Sequence, residues 1–317
     1  MTATSSIALV FPGQGSQSLG MAKDIADAYP IAADTFSEAD SILGYSISDI
    51  IFNGPEQDLN DTAITQPAIY IASLAIYRVL ASQLTSLNPR FLAGHSLGEF
   101  TALTVADAFS FTDGLQLVAE RGRLMKEAGE QNPGAMAAIL GLEYQPLLEI
   151  CQAATQEAQA PVVIANDNCP GQIVISGDKA ALELAIQLAN DAGARKIVPL
   201  AVSVATHSPL MASAQLPFSE KVQKIKMNTP TIPIVANVSY QAIHTVEEIQ
   251  EELHLQLTNA VHWTQTIQFM LAQACDTFIE IGPGDVLTGL IKRIDRNTNR
   301  ISINKLDTLR NYIDNQA

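Results

Sequence analysis

Short unbroken apolar runs alternate along this chain with longer stretches in which apolar residues recur every three or four positions. The first kind reads as strands buried on both faces, the second as helices with one buried face. Residues 7–11 form the first run, stopped by Pro12-Gly13-Gln14-Gly15-Ser16-Gln17, and a helix is predicted over 19–29. Helices follow at 32–43, near 58–60 and at 66–83. The last carries Ile69, Ile71, Ala72, Leu74, Ala75, Tyr77, Val79 and Leu80, so it is apolar around most of its circumference and must lie largely buried. A second strand run, opened by Arg90-Phe91, ends at Gly94; helices are predicted at 97–108 and at 114–127, the latter capped by Thr112-Asp113.

From residue 134 the order changes. Strand 134–140, helix 144–156, strands 161–165 and 172–176, helix 179–192 (ended by Gly193) and strand 195–200 give β-α-β-β-α-β. The two middle strands are joined by Asn166-Asp167-Asn168-Cys169-Pro170-Gly171, a run of turn formers. This is a ferredoxin-like unit, expected as a small domain over 131–202 inserted into a larger α/β domain made of 1–130 and 203–317. The large domain resumes with helix 209–226, strand 232–236, helices 246–257 and 264–274, and strand 277–281, broken by Gly282-Pro283-Gly284. Helix 286–293, strand 300–303 and helix 306–314 complete it. Such alternation predicts a mostly parallel sheet covered on both faces.

Composition narrows the function classes. Hydrophobic residues make up 47% and charged ones 16%, as in a compact globular chain. Acidic residues outnumber basic ones 33 to 18, which argues against nucleic-acid binding. The three cysteines have no metal-like spacing, so no metal site is expected and a reducing, cytoplasmic setting is. No basic n-region precedes residues 7–11, and no apolar run approaches the roughly 20 residues of a membrane helix, so no membrane contact is expected.

Gly94-His95-Ser96-Leu97-Gly98 sits between predicted strand and helix and has the Gly-x-Ser-x-Gly form of a nucleophile elbow. Glycines let the chain turn sharply, the serine hydroxyl stands above the sheet, and the Leu97 amide with the helix start faces a developing oxyanion. The alternative is an ordinary turn with a solvated serine. The 12–17 loop fits neither dinucleotide nor Walker spacing; it can present Gln14 at the same sheet edge. A serine needs a base. His95 adjoins Ser96 but points away from it, and His244, His254 and His262 read as solvated. His207 falls in a loop between the last small-domain strand and a helix, where it is either the base or a buried structural histidine. Arg121 is either a third site residue or a surface arginine paired with Glu120 or Glu127; Gly122 beside it hints at close packing.

These residues resemble one family, the malonyl-CoA:acyl-carrier-protein transacylases. The resemblance rests on residues 11–17, 94–99, Arg121-Gly122, Pro133-Gly134-Ala135-Met136, 168–172, His207 and Glu280-Ile281-Gly282-Pro283-Gly284, in family order along nearly the whole chain. It implies a hydrolase-like α/β domain with a mostly parallel sheet and an inserted small ferredoxin-like (βαββαβ) domain. By position it implies Ser96 as nucleophile, His207 as base, Gln14 and the Leu97 amide as oxyanion donors, and Arg121 as ligand of the malonate carboxylate. Gln256 aligns where a backbone carbonyl orients the histidine in place of the usual Asp, and Asn166 and Asn168 fall where the family contacts coenzyme A. The implied reaction transfers malonyl from malonyl-CoA to the phosphopantetheine thiol of an acyl carrier protein, with no tightly bound cofactor and a monomer expected.

Ala205-Thr206 stands before His207 where the family commonly has Pro-Ser, and in related polyketide acyltransferases this stretch tracks malonyl or methylmalonyl choice. A polyketide acyltransferase is therefore one rival. A serine thioesterase is another, but its triad acid should lie between serine and histidine, where Asp167 and Asp178 fall in the inserted domain. A non-catalytic carrier-binding module is a third. For docking an acidic carrier protein, residues 291–310 offer six basic side chains against two acidic ones; Lys292, Arg293 and Arg296 are the candidates, with solvated scattered charges as the alternative.

Overall fold

The computed structural model describes residues 6–84, 87–200, 202 and 204–316. In chain order the strands are β1 (Ile7–Phe11), β2 (Phe91–Gly94), β3 (Gly134–Leu140), β4 (Val162–Cys169), β5 (Gln172–Asp178), β6 (Lys196–Pro199), β7 (Ile234–Val235), β8 (Ala242–Ile243), β9 (Thr277–Ile281) and β10 (Asn299–Ile303). They form two sheets. The larger has the order β10-β9-β1-β2-β7-β8 and is parallel apart from the β7–β8 pair. The smaller is antiparallel throughout, ordered β4-β5-β3-β6, with helices Tyr144–Ala158 and Lys179–Asp191 packed against it. This is the hydrolase-like α/β fold with an inserted ferredoxin-like unit; the expected boundary at 202/203 touches Ser203, outside the described residues.

The central strands explain their own composition. On β1, Leu9 and Phe11 face a core built with helices Thr62–Gln83, Gly98–Val105 and Phe111–Gln131, while Ala8 and Val10 face Trp263, Ile267, Phe278 and Leu290 on the opposite side. Both faces are dry, so the strand is apolar at every position. Phe11 pairs with Gly94, which brings the 12–17 loop and the turn after β2 to one edge.

The Thr62–Gln83 helix is long and apolar enough by length and composition to cross a membrane, against the expectation that no segment is. It is instead largely buried within the fold.

Other differences have local causes. Helix Phe111–Gln131 begins earlier than predicted because Ser110, not Thr112-Asp113, caps it, its Oγ accepting the Asp113 N–H at 3.0 Å. The helix expected over 209–226 is a short 3-10 turn, Pro209–Met211, followed by Ala212–Val222. Helix Ile47–Asn53 and the two-residue β8 carry too little periodicity to stand out.

The largest correction concerns the presumed loop at 166–171. Residues 166–169 continue β4, paired with β5 through two register shifts, and only Pro170-Gly171 turns. Its polar side chains are used across the domain junction: Asp167 accepts from Thr264 Oγ1 at 2.8 Å and Gln265 Nε2 at 2.9 Å. Backbone bonds from Asp167 N to Val261 O and from Val261 N to Ala165 O join the small sheet to the large domain.

Candidate active site

The turn after β2 is held tightly from both sides. A Cβ on Gly94 would stand 1.9 Å from the Gly98 carbonyl carbon, and one on Gly98 would stand 2.0 Å from the Phe11 carbonyl oxygen. No larger residue fits at either position. Ser96 itself adopts a left-handed φ of 51°, a strained conformation for a residue with a side chain. Asn237, fully buried two residues after β7, fastens the turn: its Oδ1 accepts the Ser96 N–H at 2.7 Å and its Nδ2 donates to Gly94 O at 2.8 Å. The backbone N–H groups of Leu97 and Gln14 donate to no atom of the described residues. The Gln14 side chain is turned aside, donating to Thr62 Oγ1 at 3.3 Å.

His207 meets the serine from the opposite side. Its φ is 55°, and its Nε2 lies 2.8 Å from Ser96 Oγ. Its Nδ1 faces two backbone carbonyls, Gln256 O at 2.8 Å and Asn259 O at 3.1 Å. Carbonyls only accept, so Nδ1 carries the proton and Nε2 is left as the acceptor. Burial first, then the nearby Arg121 charge, push the imidazole from its ordinary 6.5 down to about 3. It is therefore neutral at pH 7.

Arg121 is the third member and is buried, not on the surface; Arg123 makes the pairs with Glu120 and Glu127. The guanidinium donates from Nη1 to Gln66 Oε1 at 2.7 Å and from Nη2 to Gln256 Oε1 at 2.9 Å and Ser96 Oγ at 3.0 Å. Nε has no partner among the described residues. The close helix approach hinted at by Gly122 is present: a Cβ there would lie 2.9 Å from Thr62 O. Burial lowers the Arg121 pKa to about 10, so the cation persists at neutral pH. Glu99, fully buried in the first turn of helix Gly98–Val105, accepts the Asn237 N–H at 3.0 Å and a bond from Gln256 Nε2. Its carboxyl is raised well above its ordinary range by burial and, next, by Glu252.

Two connected spaces lead to these groups. A cavity of about 110 Å³ is lined by Ser96, Leu97, Arg121, Met125, Thr206 and His207. It shares Gln14, His95, Asn166, Leu200 and Val202 with a wider one of about 540 Å³, bounded by the 12–17 loop, Asn168, Gln172 and Val286. Asn168 Oδ1 is 2.8 Å from His95 Nε2, which fixes that ring away from Ser96. Lys292, Arg293 and Arg296 are exposed and line neither cavity. Arg293 is tied to the β4–β5 turn, donating to Pro170 O at 3.2 Å and to Gln172 Oε1.

Of the three histidines expected in solvent, only His244 is exposed. His254 Nδ1 lies 2.6 Å from Ser219 Oγ, and His262 packs against Tyr240. No group of three or more His, Cys, Asp or Glu suited to a metal occurs among the described residues. Asn237, Gln66 and Asn259 escaped sequence reasoning, and Glu99, though part of the 94–99 motif, was given no role. Only Glu99 and Gln66 left a trace, as polar residues inside otherwise apolar stretches.

The lowered His207 pKa carries a sign. The unfolded chain takes up the proton first, so the neutral ring contributes stability in full above pH 6.5 and loses it as pH falls toward 3. Denaturation between pH 6.5 and 4 is therefore expected to show wild-type stability falling by up to about 1.4 kcal/mol per pH unit more steeply than in His207→Gln. Parallel curves would show that the ring titrates normally.

Comparison with known proteins agrees with this arrangement. Residues 8–307 match the acyl transferase domain family. The malonyl CoA-acyl carrier protein transacylase of Haemophilus influenzae is 44% identical over 297 residues, covering 94% of this chain and 95% of that protein. One chain of a solved complex, a type II polyketide-synthase acyl-carrier protein with its malonyl-transacylase, superposes with a TM-score of 0.95 at 41% identity, over 98% of this chain and 100% of the other. An acyl carrier protein S-malonyltransferase from Vibrio cholerae gives 0.93 at 42%, over 97% and 100%. With its elbow, inserted domain and buried arginine, this chain belongs to the acyl transferase family, among the malonyl CoA-acyl carrier protein transacylases.

Proposed function

We propose that this protein transfers a malonyl group from malonyl-CoA to the phosphopantetheine thiol of an acyl carrier protein, by a ping-pong reaction through an acyl-Ser96 intermediate, in fatty-acid synthesis. The observation that carries the reading is the convergence of a neutral imidazole and a buried guanidinium on one serine oxygen, at 2.8 and 3.0 Å. His207 Nε2 takes the Ser96 proton as Oγ attacks the thioester carbonyl. The tetrahedral oxyanion is held by the Leu97 and Gln14 backbone amides and the positive end of the elbow helix. Collapse expels coenzyme A, which leaves as the thiol with the proton from His207. The carrier thiol then gives up its proton to His207, attacks the acyl-serine and regenerates Ser96.

Gln256 and Asn259 orient His207 through backbone carbonyls, where a triad enzyme has a carboxylate. The absence of an anion there suits a site that must admit a second carboxylate, the free end of malonate. Arg121 binds that end with two parallel N–H bonds. An acetyl group would leave the buried cation unpaired, at a cost of about 3–5 kcal/mol. The wide cavity takes the pantetheine arm, with Asn166 and Asn168 on its wall. No metal or bound cofactor enters the chemistry proposed here. The likeness to a polyketide malonyl-transacylase supports a polyketide carrier as the second possible acceptor, and Thr206 on the acyl cavity wall is where methylmalonyl choice would be read. Buried, unpaired cysteines suit the cytoplasm as the place of action.

Incubated with malonyl-CoA and weighed intact, the protein is expected to gain one malonyl group, absent in Ser96→Ala and lost to added carrier protein. Arg121→Ala is expected to lose malonyl loading while accepting acetyl. Rapid release to water would indicate a hydrolase, no adduct a binding module, and unchanged selectivity in Arg121→Ala would remove that residue from the site. For docking, the Lys292 and Arg296 side chains bond to none of the described residues while Arg293 is engaged, so charge reversal at the first two is expected to raise KM for carrier protein and not for malonyl-CoA. Equal effects on both would refute that patch.

A further inference from the structure

Among the described residues, every polar group that hydrogen-bonds to Arg121 is uncharged. Its acceptors are two glutamine side chains and a serine hydroxyl, and the Phe100 ring centroid lies 5.6 Å from the guanidinium carbon. The ion pairs among the described residues all involve other cations. Glu99, the acid of the network, makes no direct bond to the guanidinium: the Gln256 amide stands between them, turning Oε1 to the arginine and Nε2 to the acid, and a charge on Glu99 favours the cation only from that distance. Three of the five guanidinium N–H bonds are engaged, leaving one on Nη1 and one on Nε.

Gln66 is the less expected of the two amides. It lies at the start of a helix whose next buried positions are apolar, and it is itself 1% exposed. Its orientation is fixed: Oε1 accepts from Arg121 Nη1 at 2.7 Å, and Nε2 points at Met125 Sδ, 3.2 Å away. A glutamate in the same place would keep the shape and the acceptor, and would add a negative charge against the guanidinium. The two would form a buried pair and fill the electrostatic role meant for a substrate carboxylate.

We propose that Gln66 is a specificity-determining residue: it aims Arg121 into the acyl cavity without neutralising it, and so reserves the cation for a diacid thioester. The inference rests on the reading of Arg121 as the carboxylate ligand. It goes further in assigning the selectivity to the neutrality of the arginine's supports as well as to the arginine.

The test is a competition. Wild type, Gln66→Glu and Gln66→Leu are each mixed with equimolar malonyl-CoA and acetyl-CoA, and the two acyl-enzyme masses are read as a ratio. A ratio does not depend on how much of a variant is folded. Gln66→Glu is expected to lower the malonyl-to-acetyl ratio by at least about a hundredfold, because the internal carboxylate competes with malonate and lets an uncharged acyl group in. Gln66→Leu, which loses one bond to a charged group but adds no anion, is expected to lower it only about tenfold. Gln66→Glu at the wild-type ratio, in a wild type that prefers malonyl, overturns this inference alone. A wild type without that preference, or one whose preference survives Arg121→Ala, overturns the Arg121 reading and this inference with it.

Discussion

A cation buried beside the Ser96 hydroxyl, with no anion in contact among the described residues, is the constraint from which the rest of this site follows. Removing a guanidinium from water costs several kcal/mol even after relaxation, and direct pairing would be the simplest compensation. The fold compensates at one remove. Amide oxygens of Gln66 and Gln256 take two of the N–H bonds, the Phe100 ring lies alongside, and Glu99 holds the other end of the Gln256 amide while its charge favours the cation from beyond it. The charge is stabilised enough to be kept, and N–H groups are left open for the carboxylate binding proposed above.

The same network sets the geometry of the chemistry. Glu99 accepts the Asn237 N–H, Asn237 holds the Ser96 amide, and Gln256 gives its side chain to Arg121 and its backbone carbonyl to His207. Two left-handed residues, Ser96 and His207, thus meet at 2.8 Å from opposite sides of the cleft. Arg121 in turn helps to keep His207 unprotonated, since its charge opposes a second one nearby. The group proposed to select the substrate also favours the basic form of the residue proposed to activate the serine.

Much of this was legible beforehand, and the reason is local. The elbow announces itself because its glycines are demanded by contacts within and beside one turn, and buried strands announce themselves because both faces are dry. His207 and Arg121 could be singled out as candidates, yet their burial depends on chain segments far away. The supporting residues were hidden for that reason: Asn237 lies 141 residues from Ser96, and Gln66 lies 55 from Arg121. The stretch 166–171 was misread because Asn, Asp, Pro and Gly are turn formers on their own. Here their polarity serves the cleft and the domain junction, where Asp167 meets Thr264 and Asn168 meets His95.

The most direct test is a crystal structure of the malonyl-Ser96 enzyme. The account predicts both free carboxylate oxygens within hydrogen-bond distance of the Arg121 guanidinium, with the Gln66 and Gln256 contacts retained. A carboxylate turned out into the wider cavity, with Arg121 still donating to Ser96 Oγ, would contradict it.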